Sequence, residues 1–185
     1  MKVNSNLFTS ILILLSGFTL QANAQEVKVL QESDITEAAI IDALAPEKIG
    51  RTRSFRPMDD QLESEVNQKA SASMLITFNT NSAELTFGAK HALDKVGRAL
   101  NMDKLAKFGF VIEGHADLSG SYQFNQRLSA ARAATVMNYL IHMHAIEPSR
   151  LTAIGKGYTE LMNKDNPLAP ENRRVTLIRI DNNNR

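Results

Sequence analysis

From about residue 72 onward, apolar and polar positions switch between two periods. Ser73-Met-Leu-Ile-Thr-Phe78 is a short apolar run and predicts a buried strand. Leu85 to Leu100, with Leu93, Val96 and Leu100 on one stripe, predicts a helix. Phe108 to Glu113 reads as a second strand, Gln123 to His142 as a second helix and Leu151 to Gly155 as a short third strand. Val175-Thr-Leu-Ile-Arg-Ile180 alternates and reads as the last strand. The alternation predicts an α/β (α+β) domain over residues 72–180, and a block of about 110 residues is enough for one core.

Upstream the pattern differs. Ser33-Asp34-Ile-Thr-Glu37 offers helix-capping signals before Ala38-Ala-Ile-Ile-Asp-Ala-Leu44, and Pro46 follows. Arg51-Thr-Arg53-Ser-Phe-Arg56-Pro57 is basic, turn-prone and aperiodic. Residues 25–71 are therefore expected to be an N-terminal segment with a short helix and an exposed linker. The rival reading makes the linker a docking segment for an envelope protein, through Arg51, Arg53 and Arg56. The first 24 residues carry a basic start at Lys2, an apolar run from Leu7 to Leu20 and Ala22-Asn23-Ala24. That pattern predicts a cleaved signal peptide and an exported chain starting at Gln25. The run is too short to read as a membrane span. Asp181-Asn-Asn-Asn-Arg185 reads as a polar tail.

Composition narrows the function. The chain has no cysteine, so no disulfide holds it, although an exported compartment would permit one. Loss of the leader removes only Lys2 from the charged set and leaves 20 basic against 20 acidic residues. Such a balance provides no electrostatic footprint for nucleic acid or anionic membrane. Tryptophan is absent and aromatics are 6% of the chain, so stacking platforms for bases or sugars are poorly supplied. A β-barrel would need eight or so strands of about ten residues, which the polar stretch before residue 72 does not offer.

The densest chemistry lies in Glu113-Gly-His-Ala-Asp117-Leu-Ser-Gly120 and in the helix after it. Leu128, Arg132, Val136 and Leu140 recur at i, i+4 and are expected on one core-facing row. An arginine there needs a partner, because an unpaired buried charge is costly. In one reading Arg132 pairs with Asp117 or Glu113 and closes the helix onto the sheet. In the other, Asp117 and Arg132 hold opposite ends of a bound zwitterion.

Gly114-His-Ala-Asp117, Asn125, Leu128-Ser129, Arg132-Ala133, Tyr139-Leu140, Arg150-Leu151, Gly155-Lys-Gly157 and Asn172-Arg-Arg-Val175 occur in an order and spacing that resembles the OmpA-like C-terminal domain. The resemblance runs from about Ala72 to Ile180. It implies a β-α-β-α-β-β sheet covered by helices, and non-covalent binding of peptidoglycan in the periplasm with no cofactor. It also implies that Asp117 takes the ammonium of diaminopimelate and Arg132 the carboxylate on the same carbon. Thr80, Asn81, Asn125 and Arg173 are further candidates around that pocket. A guanidinium meets a carboxylate through two parallel hydrogen bonds, which lysine cannot reproduce. The chain departs from the family at Ala116, where threonine is usual, and in the stretch between Gly157 and Asn172. It also lacks the cysteine that a lipid-anchored member would carry.

An enzyme is the competing class, most naturally a peptidoglycan hydrolase. His91, His142 and His144 do not form a metal-ligand pattern, since i, i+2 side chains diverge on a helix. Glu113, His115 and Asp117 alternate along the second strand and are expected to share a face, which leaves a metal site open. Ser119, His115 and Asp117 sit too close in sequence for a base relay. Glu113 and Asp117 could serve as paired acids, but Arg132 would keep Asp117 ionised. A wall-anchoring component of a flagellar motor or secretion system is the remaining alternative.

Overall fold

The computed structural model describes residues 29–45, 70–79 and 81–180. The leader, the basic linker, Thr80 and the polar tail lie outside them. Five strands, β1 (Val29–Leu30), β2 (Ser71–Met74), β3 (Gly109–His115), β4 (Leu151–Gly157) and β5 (Val175–Ile180), form one sheet in the order β1-β2-β5-β3-β4. The last strand thus enters between β2 and β3, antiparallel to both, while β1 with β2 and β3 with β4 are parallel. Helices α1 (Glu37–Leu44), α2 (Phe87–Asn101) and α3 (Tyr122–His144) complete the described fold.

Each helix starts on a hydroxyl side chain. Thr36, Thr86 and Ser121 accept from the backbone N–H three residues on, at 3.1, 3.2 and 3.2 Å. The helices pack in sequence, α1 on α2 and β2, α2 on α3, and α3 on β3 and β4. One apolar core joins Ile40 and Leu44 of α1, Leu93, Val96 and Leu100 of α2, and Val136 and Leu140 of α3. Phe110, Ile112, Val175 and Leu177 meet them from the sheet. Alternation turns Glu113, Ser73 and Thr176 to the opposite face, which no helix among the described residues covers, and there Ser73 Oγ and Thr176 Oγ1 are hydrogen-bonded at 3.0 Å.

The block from β2 to β5 has the expected β-α-β-α-β-β order, with β4 two residues longer than expected and the first strand ending at Met74 rather than Phe78. In the N-terminal segment the expected short helix is present as α1, whereas the strand before it and the burial of both differ from expectation. Residues 29–45 are not a tether beside the domain: β1 extends the sheet, and Ile35, Ile40 and Leu44 are fully buried. A two-residue strand leaves no periodicity to read, and its partner lies more than forty residues downstream at Ser73 and Met74.

Candidate ligand-binding site at the end of β3

Between Gly114 and His115 the register of β3 against β4 shifts by one residue, and the chain leaves the sheet as Ala116-Asp117. Asp117 is 6% exposed. Its Oδ1 accepts from Ser119 N at 2.9 Å and from the Ser119 hydroxyl. Its Oδ2 accepts from Arg173 Nη1 at 2.7 Å. Burial would raise the Asp117 pKa, but the bonds from Ser119 and Arg173 outweigh it and hold the carboxyl below the ordinary 3.8. Gly120, at φ 79°, makes the turn into α3. Buried Asn125, one turn into that helix, ties the loop down by donating to the Ser119 carbonyl, with a longer contact of 3.4 Å to that of Asp117.

Arg132 comes from the same helix, but not from its buried row. The residues facing the sheet are Asn125, Ser129, Ala133, Val136 and Leu140. The expected row of Leu128, Arg132, Val136 and Leu140 is therefore corrected: Leu128 and Arg132 are only half-buried, at the margin of the contact. The reason is the close approach of α3 to β3. A Cβ on Gly114 would lie 2.2 Å from the Ser129 carbonyl oxygen, so the small residues Ser129 and Ala133 take the inner face. Arg132 donates Nε to the Ser82 carbonyl at 3.1 Å and lies over the Phe78 ring, 4.9 Å from its centroid. Neither Asp117 nor Glu113 forms an ion pair with it; Asp117 is bound by Arg173, and Glu113 by Lys156. Burial lowers the Arg132 pKa, the Arg173 charge adds to that, and the Asp117 charge opposes it.

Phe78, Gly114, Arg132, Pro170 and Arg173 help line a cavity of about 260 Å³ beside these groups. The chain turns after Phe78, where Asn79 N donates to the Glu84 carbonyl at 2.9 Å. Asn81 sits there exposed, with φ 52°. Thr80 cannot be placed among these residues. The loop that sequence left unassigned is organised by Asn172, which is fully buried. Its Oδ1 accepts from Met162 N and Asn163 N, and its Nδ2 donates to the Asn163, Asn166 and Pro167 carbonyls. This fixes Arg173, the next residue, against Asp117. An Asn before Arg-Arg was the only signal in the sequence for that role.

Glu113 and His115 do not share their face with Asp117, contrary to expectation, because the shift in β3 intervenes. They look onto the helix-free side with Lys156 and Glu160. Lys156 Nζ is 3.3 Å from Glu113 Oε1 and 2.7 Å from Glu160 Oε1. Burial pushes His115 down to about 3, helped by the Arg174 charge, so its ring is neutral at pH 7. The 3.6 Å approach of His115 Nε2 to Glu113 is therefore no ion pair. The Ser119 hydroxyl is bound to Asp117, and no Ser–His relay forms among the described residues.

The model of the OmpA family matches residues 77–174, which holds β3, α3, β4 and every described site residue above. The chain belongs to the OmpA family. A peptidoglycan-associated lipoprotein of Rhizobium meliloti (strain 1021) is 33% identical over 94 residues, 51% of this chain and 48% of that protein. Outer membrane protein A of Klebsiella aerogenes is 36% identical over 86 residues, 46% of this chain and 24% of that protein. The match thus spans about half or less of these relatives' own length. Among solved structures, the periplasmic domain of Helicobacter pylori MotB superposes with a TM-score of 0.54 at 19% identity, over 64% of this chain and 77% of that one. The OmpA-like domain of FopA1 from Francisella tularensis gives 0.50 at 20% identity, over 58% of this chain and 70% of that one. These two carry the fold alone. β1 and α1 of this OmpA-family chain lie outside the residues that the family model matches. No helix among its described residues is long and apolar enough to cross a membrane.

Proposed function

We propose that this chain binds peptidoglycan non-covalently in the periplasm and tethers an envelope component to the wall. The ligand is the diaminopimelate head of an uncrosslinked stem peptide, whose ammonium goes to Asp117 and whose carboxylate goes to Arg132. The observation that carries this reading is the state of Arg132. It is half-buried, held by a carbonyl and an aromatic ring, and paired with no carboxylate among the described residues. A guanidinium so placed is oriented but not neutralised, which suits capture of an incoming carboxylate. Arg173 is the partner that Asp117 keeps before the ammonium arrives, and its 46% exposed side chain is free to follow the ligand. Asn125 serves the site by bracing its loop. Asn81, exposed in the turn after Phe78, is a further candidate contact, and so is Thr80, which lies outside the described residues. Residues 25–71 would supply any contact to an envelope protein.

The test is co-sedimentation of the full exported chain with isolated diaminopimelate-type sacculi, with free diaminopimelate as competitor. Saturable binding is expected, with a dissociation constant on the order of micromolar to millimolar, because one zwitterion offers few contacts. The many stems of a sacculus compensate by avidity. Equal binding to lysine-type wall would overturn the pocket, since lysine lacks the carboxylate. Release of soluble muropeptides would favour the hydrolase.

A further inference from the structure

We propose a second site on the helix-free face of the sheet, where Glu113, His115 and Glu160 hold a divalent transition-metal ion. Glu113 and His115 lie two apart on β3 and point away from the helices, while Glu160 comes from the turn after β4. One donor atom from each side chain lies within 4.8 Å of the other two. Tetrahedral donors at bond lengths of about 2.0–2.2 Å stand about 3.3–3.6 Å apart, so the exposed Glu160 side chain closes the triangle onto the ion as it binds. Glu113 and His115 are 8% and 3% exposed, so two of the three donors are fixed by the sheet.

The second observation concerns His115 itself. Neither ring nitrogen has a hydrogen-bond partner among the described residues, although the ring is buried. Buried polar side chains are nearly always satisfied, and an imidazole beside two carboxylates is satisfied by a shared cation. His115, Glu113, Glu160 and Asn163 all line one cavity of about 1360 Å³.

Lys156 marks where the cation sits. Its ammonium bridges Glu113 and Glu160, the same two carboxylates, and its side chain is 27% exposed. A metal ion enters by displacing this ammonium, which a flexible stem can carry into solvent. Arg174 also faces the cluster, so two cations already balance two carboxylates. Binding is therefore an exchange of ammonium for metal, and Lys156 sets its strength. Two carboxylates and one imidazole suit zinc, manganese or iron(II) rather than a thiophilic ion.

Titration of the tag-free, chelator-stripped full chain with zinc chloride tests this by calorimetry, with cobalt(II) absorption reporting the donor set. One ion per chain is expected. Lys156→Met removes the competitor and should tighten binding by about tenfold or more, whereas Glu160→Gln and His115→Asn should each weaken it by about tenfold or more. Glu160 is exposed, so Glu160→Gln should keep the thermal midpoint and separates loss of a ligand from loss of fold. No saturable uptake by the natural chain overturns the proposal, including uptake by Lys156→Met alone. Uptake that Glu160→Gln leaves unchanged, or that Lys156→Met fails to tighten, overturns it as well. Sacculus binding plays no part in these readouts.

Discussion

Asp117 takes its cation from Arg173, whose Nη1 lies 2.7 Å from Asp117 Oδ2, while Arg132 rests on the Phe78 ring and the Ser82 carbonyl. The two arginines repel one another across the pocket, since the Arg173 charge lowers the Arg132 pKa. A carboxylate arriving between them would relieve that repulsion.

Arg132→Leu should therefore leave the fold nearly intact. No carboxylate is stranded by the change, leucine suits a helix, and the lost contacts are one hydrogen bond and one ring contact. The stability change should stay within about 1 kcal/mol in either direction. Sacculus binding should be lost. A thermal melt and a pull-down measure both, and a destabilised variant that still binds would overturn the site.

Asp117→Asn keeps the acceptor for Ser119 and removes the charge. Arg173 is 46% exposed, so losing its partner should cost about 1 kcal/mol or less, with binding lost. A carboxyl whose folded pKa is depressed contributes stability above its unfolded pKa and loses it as pH falls through the folded one. The stability gap between the natural chain and Asp117→Asn should therefore be constant near pH 7. It should close as pH falls below 3.8. Chemical denaturation at several pH values reads it.

Gly114→Ala tests the contact that places α3. Its Cβ would meet the Ser129 carbonyl oxygen at 2.2 Å, and that oxygen is backbone. The helix must shift, at a cost of about 2–3 kcal/mol, and Asn125 and Arg132 shift with it. Both the denaturation midpoint and sacculus binding should fall.

Ile40→Ala tests whether α1 belongs to the core. Ile40 is fully buried, so truncation should cost about 2–5 kcal/mol in one cooperative transition. A melt unchanged by the substitution would return residues 29–45 to the role of a tether.

What could be read from the chain alone was local. Helix faces repeat over fifteen residues or more, as in Leu93, Val96 and Leu100, and strands such as Val175 to Ile180 alternate, so the element order from Ser71 to Ile180 was legible. Asp117 and Arg132 could be singled out as candidates, because each lies in a motif that resembles the OmpA-like domain. Tertiary structure decided the rest. Asp117 meets Arg173, 56 residues away, only because β5 enters beside β3 and Asn172 folds the preceding loop. Arg132 leaves the buried row because Gly114 lets Ser129 come close, a fact about two elements in contact. Val29 and Leu30 become a strand only where β2 offers an edge. Periodicity records which side of an element is apolar, whereas pairing depends on which elements meet, and that is settled by the packing of the whole sheet.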